Sequence, residues 1–238
     1  ITLEDPVEIQ VEGVNQVQVN VPAGLTFAKG LRSFLRQDPN IIMVGEIRDN
    51  ETAELSVHAA LTGHLVLSTL HTNSSSGAIP RLLDMGVEDF FLASTVNAVV
   101  AQRLVRRVCP YCKEEYEAPD EILTGLKQAL KDISENKVLM SKDVETAKLV
   151  KTYLAKDKIK LYRGKGCSKC ENGYKGRIGI FELLSMSDRI SQATLEKVPA
   201  SKLERIAVEE GMLTLLQDGY LRAMEGMTTL EEVMRVIK

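Results

Sequence analysis

Over the first hundred positions, short apolar runs alternate with stretches whose apolar residues recur every three or four places. That alternation predicts strands and amphipathic helices in turn, as in an α/β domain on a mostly parallel sheet. Residues 1–3 and 17–21 read as extended. Thr26 is placed to cap a helix with Phe27, Leu31, Phe34 and Leu35 on one face, stopping near Asp38-Pro39. Ile41–Val44 is apolar without interruption, as a strand covered on both faces should be, and Gly45 ends it. Asp49 or Asn50 can cap the next helix, which runs to Leu61, and Gly63 supplies a left-handed stop before a strand over 65–70. Helices are expected over 78–85 and 88–107, the second ending in Arg103, Arg106 and Arg107, where cations suit the helix dipole.

Beyond residue 108 the character changes. Residues 109–183 carry 15 basic against 12 acidic side chains, whereas residues 1–108 carry 8 against 12. The shift coincides with Cys109/Cys112 and is closed by a second pair, Cys167/Cys170. Two C-x2-C knuckles present four thiolates, a set suited to a tetrahedral structural zinc with no open position for catalysis. The 54 residues between the pairs exceed a compact zinc ribbon and should fold as a helical insertion, since 122–133 and 144–154 show helical spacing. From Asp188 onward only helical periodicity remains. Three segments are therefore expected: 1–107, 108–183 and 184–238.

Composition narrows the class without choosing a function. Hydrophobic residues make up 44% and charged residues 26% of 238, the profile of a globular protein. The longest nearly uncharged stretch, 90–102, falls short of the roughly 18 residues of a membrane span. A net charge of −3 gives no overall basic field to hold nucleic acid. The chain opens on Ile1 inside an apolar run, without a signal-peptide pattern, so it is expected to be part of a longer protein in a reducing cytosol.

Glu4-Asp5 and Glu46 follow apolar strands, and the carboxyl ends of strands in open α/β sheets are where ligands bind. Such acids can hold Mg²⁺ through water or orient an attacking water, which phosphoryl transfer requires. His71 leaves a third strand end, where an imidazole can meet a terminal phosphate. His64 lies at the other end of that strand and His58 within a helix, so neither is expected to join it. No G-x-x-x-x-G-K-[ST] loop occurs in these 238 residues, so the chain by itself is expected not to hydrolyse ATP.

Three stretches, ITLEDPVE from Ile1, LRQDPNIIMVGEIRD from Leu35 and TGHLVLSTLHTN from Thr62, closely resemble the type II secretion and type IV pilus assembly ATPases. There they are the acidic box, the Walker B segment and the histidine box. QRLVRRVCPYC from Gln102 and GCSKC from Gly166, with GYKGRIGIFE from Gly173, resemble that family's tetracysteine subdomain. The resemblance implies a truncated RecA-like P-loop ATPase core over 1–107, a tetracysteine zinc-binding subdomain over 108–183 and a small C-terminal helical domain over 184–238. It implies that Glu46 polarises the attacking water or aids Mg²⁺ binding, that Glu4 supports metal and water, and that His71 contacts the terminal phosphate. Asp5, Arg48, Asp49 and Thr69 would belong to the ATP and Mg²⁺ site, with Arg48 and Asp49 either touching nucleotide or fixing their loop. Zn²⁺ would sit on Cys109, Cys112, Cys167 and Cys170.

The same resemblance implies a hexamer at the cytoplasmic face of the inner membrane, associated with the membrane through a platform protein. Two other classes remain open from the residues. A zinc-ribbon nucleic-acid-binding module on a RecA-like scaffold would use Arg103, Arg106 and Arg107, although aromatics are only 5% and Trp is absent. A scaffold that oligomerises without hydrolysis is the other.

Overall fold

The computed structural model describes residues 1–237. Strand β1 (Thr2–Glu4) is followed by β2 (Gln16–Gln18) and a 3-10 turn over Val21–Ala23. Helix α1 (Phe27–Phe34) begins where Thr26 Oγ1 accepts the Lys29 N–H at 3.3 Å. Then come β3 (Ile41–Val44), α2 (Asn50–Leu61), β4 (Leu65–Ser68), α3 (Ala78–Asp84) and α4 (Asp89–Thr95). Asp49 caps α2, and Gly63 adopts φ +97° after it, as the sequence predicted.

The second half of the helix expected over 88–107 is instead a long strand, β5 (Ala98–Val108). Four of its eleven residues are valine, and it pairs antiparallel with β8 (Tyr174–Ser185), from Ala98↔Ser185 to Val108↔Tyr174. Valine is stiff at χ1 and packs well on a pleated surface, so a distant partner strand overrides the local helical spacing. Between them lie β6 (Lys113–Glu117), the expected helical insertion as α5 (Asp120–Glu135), α6 (Lys137–Lys142) and α7 (Val144–Leu154), and β7 (Lys160–Gly164), antiparallel to β6. Four helices close the chain: α8 (Asp188–Leu195), α9 (Ala200–Glu209), α10 (Leu215–Met224) and α11 (Leu230–Ile237).

Two compact units divide these elements, one of residues 1–97 and 186–203, the other of 98–185 and the described residues from 204 onward. The stretch 184–238, expected as one helical domain, is thus shared between them.

The first unit is built on a four-stranded parallel sheet in the order β2-β1-β3-β4. One face is buried, with Leu3, Ile42 and Val44 packed in the same core as Phe27, Leu31 and Phe34 of α1 and Ala53 and Val57 of α2. Gly30 lets α1 approach β1, because a Cβ there would lie 2.5 Å from the Leu3 side chain. The expectation that β3 is covered on both faces is not met within this chain. Ile41 precedes the buried Ile42 and Val44 of β3, Leu65 and Leu67 flank the partly buried Val66 of β4, and all three are about half exposed, at 50%, 48% and 51%.

In the second unit, Leu126, Leu130 and Ile133 of α5 share a core with Val150 of α7, Leu161 of β7, and Leu221 and Met224 of α10. The insertion between the cysteine pairs therefore has an apolar core, shared with α10.

Candidate functional site

Parallel pairing decides what gathers at the exits of β1, β3 and β4. Leu3 is in register with Val44 and Val44 with Ser68, so the residues after all three strands emerge at one rim. The Gly45 N–H donates to Leu3 O at 2.7 Å, and a Cβ on Gly45 would meet backbone of Leu3 at 3.1 Å and of Glu4 at 3.3 Å. Glycine there is what lets the exits of β1 and β3 run side by side.

Glu46 is well enclosed at this rim, its side chain only 13% exposed against 41% for Asp5. Its Oε1 lies 2.5 Å from Arg48 Nη2 and its Oε2 2.9 Å from His71 Nε2. The Arg48 hydrogen bond holds the carboxyl below the ordinary glutamate range, burial opposes this, and His71 adds to the lowering. Arg48 also lies 4.0 Å from Asp5 Oδ2, which ties the loop after β3 to the one after β1. The His71 side chain is 84% exposed, so it can leave Glu46 at little steric cost.

Glu4 stands one strand over. Its Oε1 accepts from Thr2 Oγ1 at 2.5 Å and from Gln16 Nε2 at 2.9 Å, and these two bonds, Thr2 foremost, lower its pKa against a small opposing effect of burial. Neither donor was singled out in the sequence. The available signal was the alternation in Gln16-Val17-Gln18, which puts both amides on one face of a strand beside Thr2 and Glu4.

The other expected site residues serve the frame of the rim. Asp49 Oδ1 accepts the Thr52 N–H at 2.8 Å as the N-cap of α2. Thr69 Oγ1 donates to Gly45 O at 2.6 Å, and Ile47 N–H donates to Thr69 O at 3.0 Å, fastening the exit of β4 to that of β3. His64 Nδ1 lies 2.9 Å from Ala59 O and 3.0 Å from Thr62 Oγ1, and His58 stacks tilted against Phe91, so both are occupied away from the rim.

The cysteines converge as their spacing predicted. All four sulfurs lie within 4.8 Å of one another, with Sγ separations of 3.9 Å for Cys109–Cys167, 3.7 Å for Cys112–Cys170 and 3.6 Å for Cys167–Cys170. A tetrahedron with Zn–S bonds of 2.3 Å has edges of about 3.8 Å, so the donor set fits a tetrahedral S4 ion. Backbone N–H groups of Gly166 and Cys167 point at the Cys112 and Cys170 sulfurs at 3.3 and 3.2 Å, as thiolates prefer. Burial pushes the Cys112 thiol up to about 12. Burial also acts to raise Cys170, but the Cys167 N–H and the neighbouring thiols outweigh it and bring Cys170 to about 7. A cation would displace the remaining protons. Among the described residues no other cluster of His, Cys, Asp and Glu meets the geometry of a metal site.

Arg106, expected near the end of a helix, lies in β5 with its guanidinium on Glu232 and over the Tyr174 ring, 4.2 Å from its centroid. It is therefore committed within the protein rather than free to form a basic stripe.

A sequence model described as "Type II/IV secretion system protein" matches residues 1–235. The chain is 46% identical over 237 residues to the type IV pilus assembly ATPase PilB of Pseudomonas aeruginosa, covering 100% of this chain and 38% of that protein. It is 44% identical over 239 residues to the type II secretion system ATPase E of Vibrio cholerae serotype O1, covering 100% of this chain and 42% of the other. The chain thus spans about two fifths of the length of these relatives. Among solved structures, the pilus retraction motor PilT with bound ADP superposes with a TM-score of 0.63 at 26% identity, over 99% of this chain and 51% of that one. The Legionella pneumophila ATPase DotB, at 22% identity and a TM-score of 0.60 over 99% of this chain and 50% of its own, shares the fold.

Proposed function

The chain belongs to the type II/IV secretion system protein family, and from that premise we propose that it forms the water-positioning side of the ATPase site in a RecA-like motor powering pilus assembly or protein secretion. The observation that carries this reading is Glu46, enclosed between Arg48 and His71 at the rim where three parallel strands end. An anionic carboxylate there can orient a water for in-line attack on a phosphoryl group, and hydrolysis of this kind depends mostly on positioning. Each Glu46 oxygen has one partner and keeps a further lone pair, so the carboxylate can accept a water while Arg48 and His71 stay in place. His71, the more exposed of the two partners, has the freedom to turn and would contact the terminal phosphate.

Glu4, Asp5 and Glu46 do not close into a direct ligand set, so these acids would hold Mg²⁺ through its water shell, and the ion would neutralise developing phosphate charge. Arg48 keeps Glu46 anionic and bridges toward Asp5. Asp49 and Thr69 hold the loops that present these groups. These 238 residues contain no G-x-x-x-x-G-K-[ST] loop, so the phosphate grip must come from elsewhere and the isolated chain should not turn over ATP. The four cysteines would hold a structural Zn²⁺. The working form is a hexamer at the cytoplasmic face of the inner membrane, acting on a membrane platform protein and not on nucleic acid. Membership of the family and the pilus and secretion ATPases among its relatives support these assignments.

The test is Glu46→Gln in the full-length protein, which should keep ATP binding and lower turnover by about 10²- to 10⁴-fold. Unchanged turnover would remove Glu46 from the mechanism.

A further inference from the structure

Gln16 makes three hydrogen bonds that together leave its side-chain amide one orientation. Its Nε2 donates to Glu4 Oε1 at 2.9 Å and to Ile9 O at 3.0 Å, while its Oε1 accepts the Val11 N–H at 2.7 Å. A carbonyl oxygen can face only a donor and an N–H only an acceptor, so Ile9 and Val11 jointly fix the amide and turn its nitrogen to Glu4. Thr2 Oγ1 reaches the same Glu4 oxygen from two residues earlier in β1. Both donors therefore fall on Oε1, and no donor among the described residues reaches Oε2.

We propose that Gln16 is a positioning residue for hydrolysis: its amide locks the Glu4 carboxylate with Oε2 presented to the site and couples that rotamer to the loop over residues 5–15. This rests on the role proposed above for Glu4. A freely rotating glutamate loses rotamer entropy on meeting its ligand, and a clamp that orders it beforehand removes part of that cost. Glutamine suits the task because it combines a donor for a carboxylate with an acceptor for a backbone N–H. Glutamate at position 16 would set two carboxylates against each other, and methionine would fill the space with no bond to any of the three partners.

The experiment is a double-mutant cycle in the full-length protein with Glu4→Ala, Gln16→Met and both together, reading kcat and KM for ATP hydrolysis. Gln16→Met should lower kcat by about 10- to 100-fold, the range for groups that orient a ligating residue, with little change in KM. Placed on Glu4→Ala, it should cost nothing more, because a group that acts through Glu4 has nothing left to position. An additional loss on that background would overturn the inference, as would a kcat for Gln16→Met equal to that of the parent. If Glu4→Ala alone leaves turnover unchanged, the proposed role of Glu4 fails, and the inference falls with it. Should Gln16→Met lower the melting temperature too far for assay, Thr2→Val removes the other Oε1 donor without touching the loop. It should then lower kcat with little change in KM, and an unchanged kcat would overturn the clamp.

Discussion

Glu232, only 2% exposed, holds Arg106 at two points across 126 residues of sequence: Oε2 accepts the Arg106 backbone N–H at 3.1 Å and Oε1 lies 2.5 Å from its guanidinium Nη2. Arg235 adds two further bonds at 3.0 and 2.8 Å, so a nearly buried carboxylate is neutralised by two guanidinium groups. Thr228 Oγ1 donates to Arg106 O and the Val108 N–H to Met227 O, at 2.8 and 2.9 Å. Residues 227–232 thus satisfy the end of β5 where its pairing with β8 slips, between Arg106 and Val108.

Replacing Glu232 with alanine should destabilise the protein by about 2–3 kcal/mol, since the half-exposed guanidinium groups can turn to water but the backbone contact is lost. Chemical denaturation of the variant measures it. Although burial acts to raise its pKa, the Arg106 and Arg235 bonds hold the Glu232 carboxyl down to about 2. Because the folded value lies below the unfolded one, this stabilisation is complete above the unfolded pKa and fades as pH falls. Acid titration should show a stability loss between roughly pH 4.3 and 2 that Glu232→Gln lacks.

Gly30→Ala tests the approach of α1 to β1. Alanine favours a helix by about 1 kcal/mol over glycine. Its Cβ, however, would sit 2.5 and 2.9 Å from the two methyl carbons of Leu3, which is fully buried and cannot easily yield. A net loss of about 1–2 kcal/mol is expected from overpacking. A stability equal to or above that of the parent would show that Leu3 can repack.

Asp49 offers a clean separation of capping from nucleotide contact. Asparagine caps a helix about as well as aspartate, whereas alanine costs about 1 kcal/mol. If Asp49 serves only α2, then in the full-length protein Asp49→Asn should match the parent in both melting and ATP turnover, and Asp49→Ala should lose stability alone. A drop in turnover with Asp49→Asn would assign the charge to the nucleotide site.

Cys109→Ser removes the one fully buried sulfur of the tetracysteine set. Zinc content measured on the purified protein should fall from about one ion per chain toward none, and the melting temperature should drop with it, since an ion bound only by the folded state stabilises that state. Because α5, α7 and α10 share a separate core, the variant should keep its helical circular dichroism at low temperature. Unaltered zinc content would exclude the S4 site.

Features written in a few adjacent residues were legible without coordinates. Thr26, Asp49 and Gly63 mark helix ends through bonds and dihedrals that span one turn, and Ile41–Val44 is apolar enough to be a strand in any context. The C-x2-C pairs announced their convergence because four thiols at that spacing have few other uses. The rim acids Glu4 and Glu46 were visible as polar residues directly after apolar strands, and resemblance to a known family sharpened the choice.

Where the outcome depended on partners far along the chain, only the tertiary structure decided. Residues 98–108 carry valines that can satisfy either period, and pairing with residues 174–185 selected the strand. Glu232 reads as an ordinary charge in the first turn of a helix until Arg106 arrives from another element. Gln16 reads as a polar residue of a short strand until parallel pairing sets it beside Thr2 and the loop folds back onto its amide. The physical reason is common to all three. Local sequence fixes backbone preferences within a turn or two, whereas burial and charge pairing are properties of the surroundings that the fold brings together.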